Sequence, residues 1–148
     1  MPAKRKYSPK ARTKARQRVL QALYQWQLTG QAIQIIESQF LDEQDSLDDQ
    51  DMSQADIPYF KQLLHGILQQ INQLDTMFAR FIDRSLTQLD PIEQAILRIG
   101  CYELKHCPDI PVKVVINEAI KLAKQFGAEQ SHKYVNNILD KAAHPQPI

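Results

Sequence analysis

The apolar residues of this chain recur at α-helical spacing almost from one end to the other. After Pro9 they fall at i, i+4, i+7, i+8 and i+11, which predicts one face of a long first helix that ends near Gly30. The members of that face are Ala15, Val19, Ala22, Leu23 and Trp26. No segment shows the apolar and polar alternation, bounded by turn signals, of a half-buried strand. The pattern therefore predicts an all-α fold.

Local signals divide the rest of the first half. A second helix is predicted over 33–40, and the acidic stretch 42–56 follows it as a solvated loop. Ser53 and Asp56 have the spacing of a capping box, and Pro58 suits the first turn of a third helix. A short fourth helix carries the apolar residues Leu74, Met77, Phe78 and Ile82.

The fifth helix has the clearest beginning. Asp90 is its predicted N-cap, Pro91 occupies its first turn, and Glu93 completes a capping box. The small residues Ala95 and Gly100 are expected to let a partner helix approach closely.

Two more helices complete the chain. Pro111 opens the sixth, and Gly127 is expected to end it. The last helix extends to Ala142, with Ser131 as its candidate N-cap and Tyr134 in its first turn.

Composition limits the class of protein. A chain of 148 residues forms one ordinary domain or two small helical subdomains with a shared core. It lacks the run of about 18 apolar residues that a membrane helix needs, and residues 1–30 lack the apolar core of a secretory signal. Cys101 and Cys107 are too few for a disulfide scaffold. We expect a cytoplasmic protein with reduced thiols and no membrane segment.

The charge is strongly divided. Eight Lys or Arg and no acid lie between Lys4 and Arg18, whereas residues 37–56 hold eight acids and no base. One interpretation is that the two blocks pair with each other. The other is that the basic block binds an anion.

Catalytic and metal motifs are absent from the sequence pattern. No phosphate loop, nucleophile elbow or His-x-x-x-His pair occurs, and Cys101, His106 and Cys107 do not match a known zinc spacing. Glu93 and Glu118 lie near helix starts, where capping and the helix dipole account for a carboxylate. We therefore predict no catalytic residue, metal or cofactor.

A nucleic-acid face is predicted on the first helix. A helical wheel places five polar or aromatic residues on one outward stripe: Lys10, Lys14, Gln17, Gln21 and Tyr24. Cations in line with amides and an aromatic ring suit the backbone and unpaired bases of single-stranded RNA. Arg12 and Arg16 flank the buried face, and Lys4, Arg5 and Lys6 form a basic arm that we expect to order on RNA. The competing interpretation is a solvated helix face.

The start of the last helix is a second candidate site for an anion. Ser131 precedes His132, Lys133 and Tyr134, and free backbone N–H groups at a helix start favour a phosphate. Ordinary capping explains the same residues without a ligand.

Four segments together resemble the NusB family of bacterial transcription antitermination factors: RQRVLQALYQWQL, AILRIGCYEL, VVINEAIKLAKQFG and SHKYVNNILDKAA. The resemblance implies two three-helix subdomains packed crosswise plus one further helix. It also implies that the protein, with the ribosomal protein NusE, binds the single-stranded boxA element of nascent ribosomal RNA and joins the RNA polymerase antitermination complex.

The resemblance also implies roles for individual residues. Arg12, Lys14 and Arg16 match the basic motif that meets boxA RNA, and the neighbouring Lys4, Arg5 and Lys10 extend it. Lys133 and Tyr134 match a second RNA contact at the last helix. Tyr24 and Glu93 match the surface that meets NusE. Glu93 can then act both as a capping residue and as a salt-bridge acceptor.

The domain prediction has four parts: a basic arm at 1–9, subdomains at 10–85 and 86–143, and a tail at 144–148. Whether the RNA-free protein is a monomer or a homodimer that covers its RNA face stays open.

Two other functions compete with antitermination. One is the helical RNA-binding domain that precedes ribosomal RNA cytosine methyltransferases, and the end of the chain at Ile148 argues against it because no cofactor-binding domain follows. The other is a protein-interaction adaptor without specific RNA binding, for which the basic residues only aid solubility. Dependence of RNA binding on salt distinguishes the adaptor from the antitermination factor.

Overall fold

The structure, a computed structural model, describes residues 8–42 and 52–144. Within those ranges it contains seven α-helices and two 3-10 turns and no strand, which confirms the predicted all-α class. The helices are α1 Pro9–Thr29, α2 Ile33–Asp42, α3 Ile57–Gln69, α4 Ile71–Ala79, α5 Pro91–His106, α6 Val112–Phe126 and α7 Ser131–Ala143. The 3-10 turns are Met52–Gln54 and Leu86–Gln88. The predicted arm residues Lys4, Arg5 and Lys6 lie outside the described residues.

Both ends of α1 follow from local chemistry. Ser8 is the N-cap, and its hydroxyl accepts a hydrogen bond from the Ala11 backbone N–H at 3.2 Å. Gly30 ends the helix with a φ of 69°, and its N–H donates a hydrogen bond to the Trp26 carbonyl. Glycine adopts that left-handed conformation without a steric penalty. The predicted extent of the first helix is confirmed.

The N-cap of α3 differs from the prediction. Asp56 is the N-cap, and its Oδ1 accepts a hydrogen bond from the Tyr59 N–H at 3.1 Å. Ser53 instead lies in the 3-10 turn Met52–Gln54, where Met52 is fully buried. The predicted loop 42–56 is therefore too long at both ends, because Asp42 belongs to α2 and Met52 anchors the segment before α3 in the core.

The centre of the fold is α5, which packs against α1, α3, α4, α6 and α7. Gly100 provides the close approach that its size predicts: a Cβ there would lie 2.7 Å from Leu139 Cδ1 of α7. Leu139 is itself fully buried. The C-terminal half of α7 is thus held directly over α5.

The remaining helices pack on either side of this centre. On one side α1 contacts α2 and α3, and on the other α6 and α7 form an extensive pair. Helix α4 contacts α5 and α7 as well as α3, so it joins the two halves. None of the described helices has the length and apolarity to cross a membrane. The subdomain boundary between residues 85 and 86 stays a prediction.

Candidate nucleic-acid interface

The first turns of α1 carry an outward row of polar side chains beside α6. Lys10 is exposed and Lys14 is partly exposed, and together they line one pocket with Gln17. The Gln17 amide donates to Gln125 Oε1 of α6 at 3.1 Å, which ties the row to that helix. Farther along α1, the Tyr24 side chain is 37% exposed. The structure thus brings Lys10 and Lys14 together as the helical wheel predicts.

Arg12 lies at the edge of the core. Its guanidinium lies 4.2 Å from the centroid of the Tyr59 ring, and its Nε is 3.9 Å from Asp56 Oδ2. Asp56 belongs to the acidic block, so one cation of the basic block does pair with one acid of the acidic block. Because the Arg12 side chain is 21% exposed, its outer edge still reaches solvent.

Arg16 occupies a different environment from the one that the resemblance implies. Its side chain is only 3% exposed. Its Nε donates to Glu103 Oε2 at 2.9 Å, and its Nη1 donates to Glu118 Oε1 at 2.7 Å. The same carboxylates accept hydrogen bonds from the Tyr59 and Thr13 hydroxyls. In this conformation Arg16 holds α1 against α5 and α6, and it does not present its charge at the surface.

Burial and charged neighbours shift the pKa values of Tyr59, Arg16 and Glu103. Burial raises the pKa of the Tyr59 phenol, and the charge of Glu103 raises it further. Burial alone would lower the pKa of Arg16, but Glu103 and the other acidic neighbours outweigh it and the pKa is raised. The pKa of Glu103 is raised as well, since its burial and the charge of Glu118 outweigh the attraction of Arg16. An ion pair alone would lower the pKa of Glu103. The raised pKa therefore reflects burial, although the partner Arg16 stays charged.

The start of α7 forms a second polar corner. The predicted cap, Ser131, lies inside the helix, and its hydroxyl donates to Glu93 Oε2 of α5 at 2.8 Å. Asp90 does cap α5, since its Oδ1 accepts hydrogen bonds from the N–H groups of Ile92 and Glu93. The Glu93 carboxylate therefore joins α5 to α7, which differs from the predicted capping box. Glu93 is only 8% exposed, and its contact with a partner stays a prediction.

Lys133 and Tyr134 follow on the surface of this corner. Lys133 is exposed and Tyr134 is half-buried. The Tyr134 hydroxyl donates to Asp83 Oδ1 at 3.2 Å, and the Arg84 guanidinium lies 4.7 Å from the centroid of its ring. Partial burial raises the pKa of Tyr134 despite the nearby positive charge of Arg84.

The side chains considered above as soft metal ligands, Cys101, His106 and Cys107, are buried or hydrogen-bonded within the fold. Cys101 and Cys107 are buried free thiols, and burial raises the pKa of Cys101 to about 12. His106 Nε2 bonds the Gln70 amide oxygen. Residues 8–42 and 52–144 contain no group of three His, Cys, Asp or Glu side chains placed to hold a metal ion.

Comparison with known proteins identifies the fold and its family. The model of the NusB family matches residues 13–144. The chain belongs to the NusB family.

Named relatives agree with this assignment. The transcription antitermination protein NusB of Alcanivorax borkumensis is 52% identical over 136 residues, which cover 92% of this chain and 87% of that protein. The solved structure of T. maritima NusB matches with a TM-score of 0.75 at 30% identity, over 95% of this chain and 94% of that chain. A chain in the crystal structure of the antitermination factors NusB and NusE with dsRNA gives a TM-score of 0.79 at 22% identity, covering 94% of this chain and all of that one. At that identity the likeness is one of fold alone.

The structure of this NusB-family chain also shows polar residues that sequence reasoning missed. Thr13 and Lys121 line the pockets between α1 and α6, and Arg84 covers the Tyr134 ring. A wheel of α6 does place Lys121 on one face with Asn117. The missing information was that this face lies beside α1. Arg84 belongs to no periodic segment, so the sequence pattern carried no signal for its contact.

Proposed function

We propose that this protein is a non-enzymatic transcription antitermination factor of the bacterial cytoplasm. With NusE it binds boxA RNA of nascent ribosomal RNA transcripts and helps RNA polymerase to read through terminators. The observation that carries the proposal is the match to the NusB family over residues 13–144. A relative with 52% identity over 92% of this chain, named as a transcription antitermination protein, supports it.

The described RNA surface begins at the start of α1. Lys10 and Lys14 supply charge for the phosphate backbone, and Arg12 adds the exposed edge of its guanidinium. Arg16 also fixes α1 in place through its ion pairs with Glu103 and Glu118. The sequence adds Lys4 and Arg5 to this surface.

The second contact lies at the beginning of α7. Lys133 offers a charge to a phosphate, and the Tyr134 ring offers a stacking surface for a base. The Asp83 hydrogen bond and the Arg84 guanidinium hold that ring in one orientation. A fixed aromatic ring loses less conformational entropy on binding than a mobile one.

The partner surface includes Tyr24 and Glu93. Tyr24 is exposed enough to enter an interface directly. Glu93 is nearly buried and hydrogen-bonded to Ser131, so only its edge is available to a cation of NusE.

The test is a titration of boxA RNA and of a scrambled RNA of equal length, each with and without NusE. We expect NusE to strengthen binding of boxA far more than binding of the scrambled RNA. Equal binding of the two RNAs in the presence of NusE would favour the adaptor without specific RNA recognition.

A pair of variants tests the RNA surface itself. Replacing Lys10 and Lys14 by Ala removes two cations, and the slope of log affinity against log salt should become shallower by about 1.4, since each single-strand phosphate contact contributes about 0.7. The matched control replaces the exposed residues Lys61 and Lys105 of α3 and α5, and its slope should equal that of the parent protein. If the Lys10 and Lys14 variant and the control variant gave the same salt slope, the result would argue against RNA contact at the start of α1.

A further inference from the structure

A continuous groove runs between α1 and α6. One part is a pocket of about 310 Å³, and the adjoining part has a volume of about 190 Å³. The two parts share Pro9, Thr13 and Lys121. The first part is also lined by Lys10, Lys14 and Gln17, and the second by Arg16, Asn117 and Glu118. Cations from both helices therefore face one groove.

Lys121 is the cation on the α6 wall. Its side chain is 66% exposed, and its Nζ lies 3.0 Å from Glu118 Oε2. An ammonium group has three N–H donors, so this one ion pair leaves Lys121 able to contact an anion in the groove. Lys10 and Lys14 stand one helical turn apart on the opposite wall and form a line of charge. A line of charge suits a polyanion better than a single small ion.

The one carboxylate on the lining of the groove is already neutralised. Glu118 Oε1 accepts hydrogen bonds from Arg16 Nη1 and the Thr13 hydroxyl. Its Oε2 accepts no hydrogen bond from the described residues, but it lies 3.0 Å from Lys121 Nζ in an ion pair. Its repulsion of a second anion is therefore weak. The groove keeps a positive balance because Lys10 and Lys14 line it in addition to the cations that pair with Glu118.

Arg16 supplies a second, independent sign of a ligand. The side chain is 3% exposed, and its Nη2 is buried with no hydrogen-bond partner among the described residues. A buried charged donor without an acceptor is unfavourable. Arg16 lines the narrower part of the groove, where an oxygen of an entering anion would satisfy that donor.

We infer that the α1/α6 groove holds phosphates of the bound RNA strand, with Lys121 as their contact on the α6 wall. The inference rests on the proposed function, and it adds a binding residue outside the two surfaces described above. The same chemistry would suit inorganic phosphate, but the two adjoining parts of the groove and the row of lysines favour a strand. Because phosphate contacts do not read bases, Lys121 should strengthen binding of any RNA sequence.

The test compares Lys121→Gln with Lys124→Gln in the full chain with NusE. Both changes remove one charge from an exposed lysine of α6, but Lys124 does not line the groove. We expect Lys121→Gln to weaken boxA binding about three- to tenfold at low salt and to make the salt slope shallower by about 0.7. The scrambled RNA should lose the same factor. Lys124→Gln should change affinity less than twofold, and Lys121→Arg should restore binding.

The outcomes separate this inference from the proposed function. Preference of the parent protein for boxA, together with equal affinities of Lys121→Gln and Lys124→Gln, would overturn the groove contact alone. No preference of the parent protein for boxA would overturn the proposed function. A third measurement follows thermal unfolding in inorganic phosphate against chloride at equal ionic strength. Stabilisation by phosphate that depends on Lys121, with unchanged RNA affinity, would overturn the assignment to an RNA strand.

Discussion

Arg16 of α1 and Glu103 of α5 form an ion pair inside the core, with Nε and Oε2 2.9 Å apart and side chains 3% and 1% exposed. The pair is part of a larger cluster, because Glu118 of α6 accepts from Arg16 Nη1 and Tyr59 of α3 donates to Glu103. Four helices therefore meet at one guanidinium. The position of the basic start of α1 depends on this cluster.

Replacing Arg16 by Met should strongly destabilise the protein. The change leaves Glu103 buried without its cationic partner, and loss of one partner of a buried pair costs about 3 to 5 kcal/mol. Urea unfolding of both proteins measures the difference, provided that the m-value is unchanged. The double variant Arg16→Met/Glu103→Met should recover much of the loss, because it leaves no unpaired charge at that pair. A single-variant loss below about 1 kcal/mol would contradict the structural role of Arg16.

The sequence predicted the ends of helices more accurately than the partners of side chains. Gly30 and Asp90 act through the backbone within a few residues, so the chain alone carries their signal. Arg16 bonds to Glu103, which is 87 positions away. A wheel correctly places Arg16 beside the buried face, but it does not show that a long side chain there finds two carboxylates.

The difference between prediction and structure at the start of α7 has the same explanation. Ser131 has the residue type and the position expected of an N-cap. Glu93 has the residue type and the position expected of a capping-box partner. The packing of α7 on α5 brings the two side chains together, and their mutual hydrogen bond replaces both local bonds. Lys10 and Lys14 were predictable because their exposure follows from the helix alone.

Replacing Ser131 by Ala should lower the free energy of unfolding by about 1 to 3 kcal/mol, because the nearly buried Glu93 carboxylate loses a donor. Gln130→Ala is the matched control, since Gln130 flanks the helix start and makes no side-chain capping bond. Its effect should stay within about 0.5 kcal/mol. Urea unfolding of the three proteins gives the comparison. A loss for Ser131→Ala no larger than that for Gln130→Ala would contradict the stabilising role of the hydrogen bond between Ser131 and Glu93.

Gly66→Ala should destabilise the protein although alanine is the better helix former. A Cβ at this position would lie 2.5 Å from Tyr102 Cε2 and Oη, and a nearly buried aromatic ring has little room to move. Overpacking of this kind costs about 1 to 3 kcal/mol, which exceeds the helical gain of about 0.5 to 1 kcal/mol. Gly100→Ala should be destabilising as well, because its Cβ would lie 2.7 Å from Cδ1 of the fully buried Leu139. Thermal midpoints measure both changes, and a raised midpoint for Gly66→Ala would contradict the prediction.

Stability should fall steeply as the pH rises above about 10, the ordinary pKa of a tyrosine. Burial and the charge of Glu103 raise the pKa of Tyr59 in the folded protein, so the folded chain keeps a phenolic proton that the unfolded chain releases. A folded state that binds more protons loses stability with rising pH, by about 1.4 kcal/mol per pH unit for one group. Urea unfolding between pH 9 and 11, set around the ordinary pKa of about 10, measures this slope.

Tyr59→Phe removes the phenolic proton that the folded chain keeps and the unfolded chain releases. Above about pH 10 the slope of its unfolding free energy against pH should be shallower than that of the parent protein by about 1.4 kcal/mol per unit. The variant also removes the hydrogen bond to Glu103, which lowers stability at every pH without changing the slope attributed to the phenol. Absorbance near the phenolate band gives a second measurement, since Tyr59 should ionise only when the chain unfolds. Equal slopes for the two proteins would mean that Tyr59 loses its proton in the folded state.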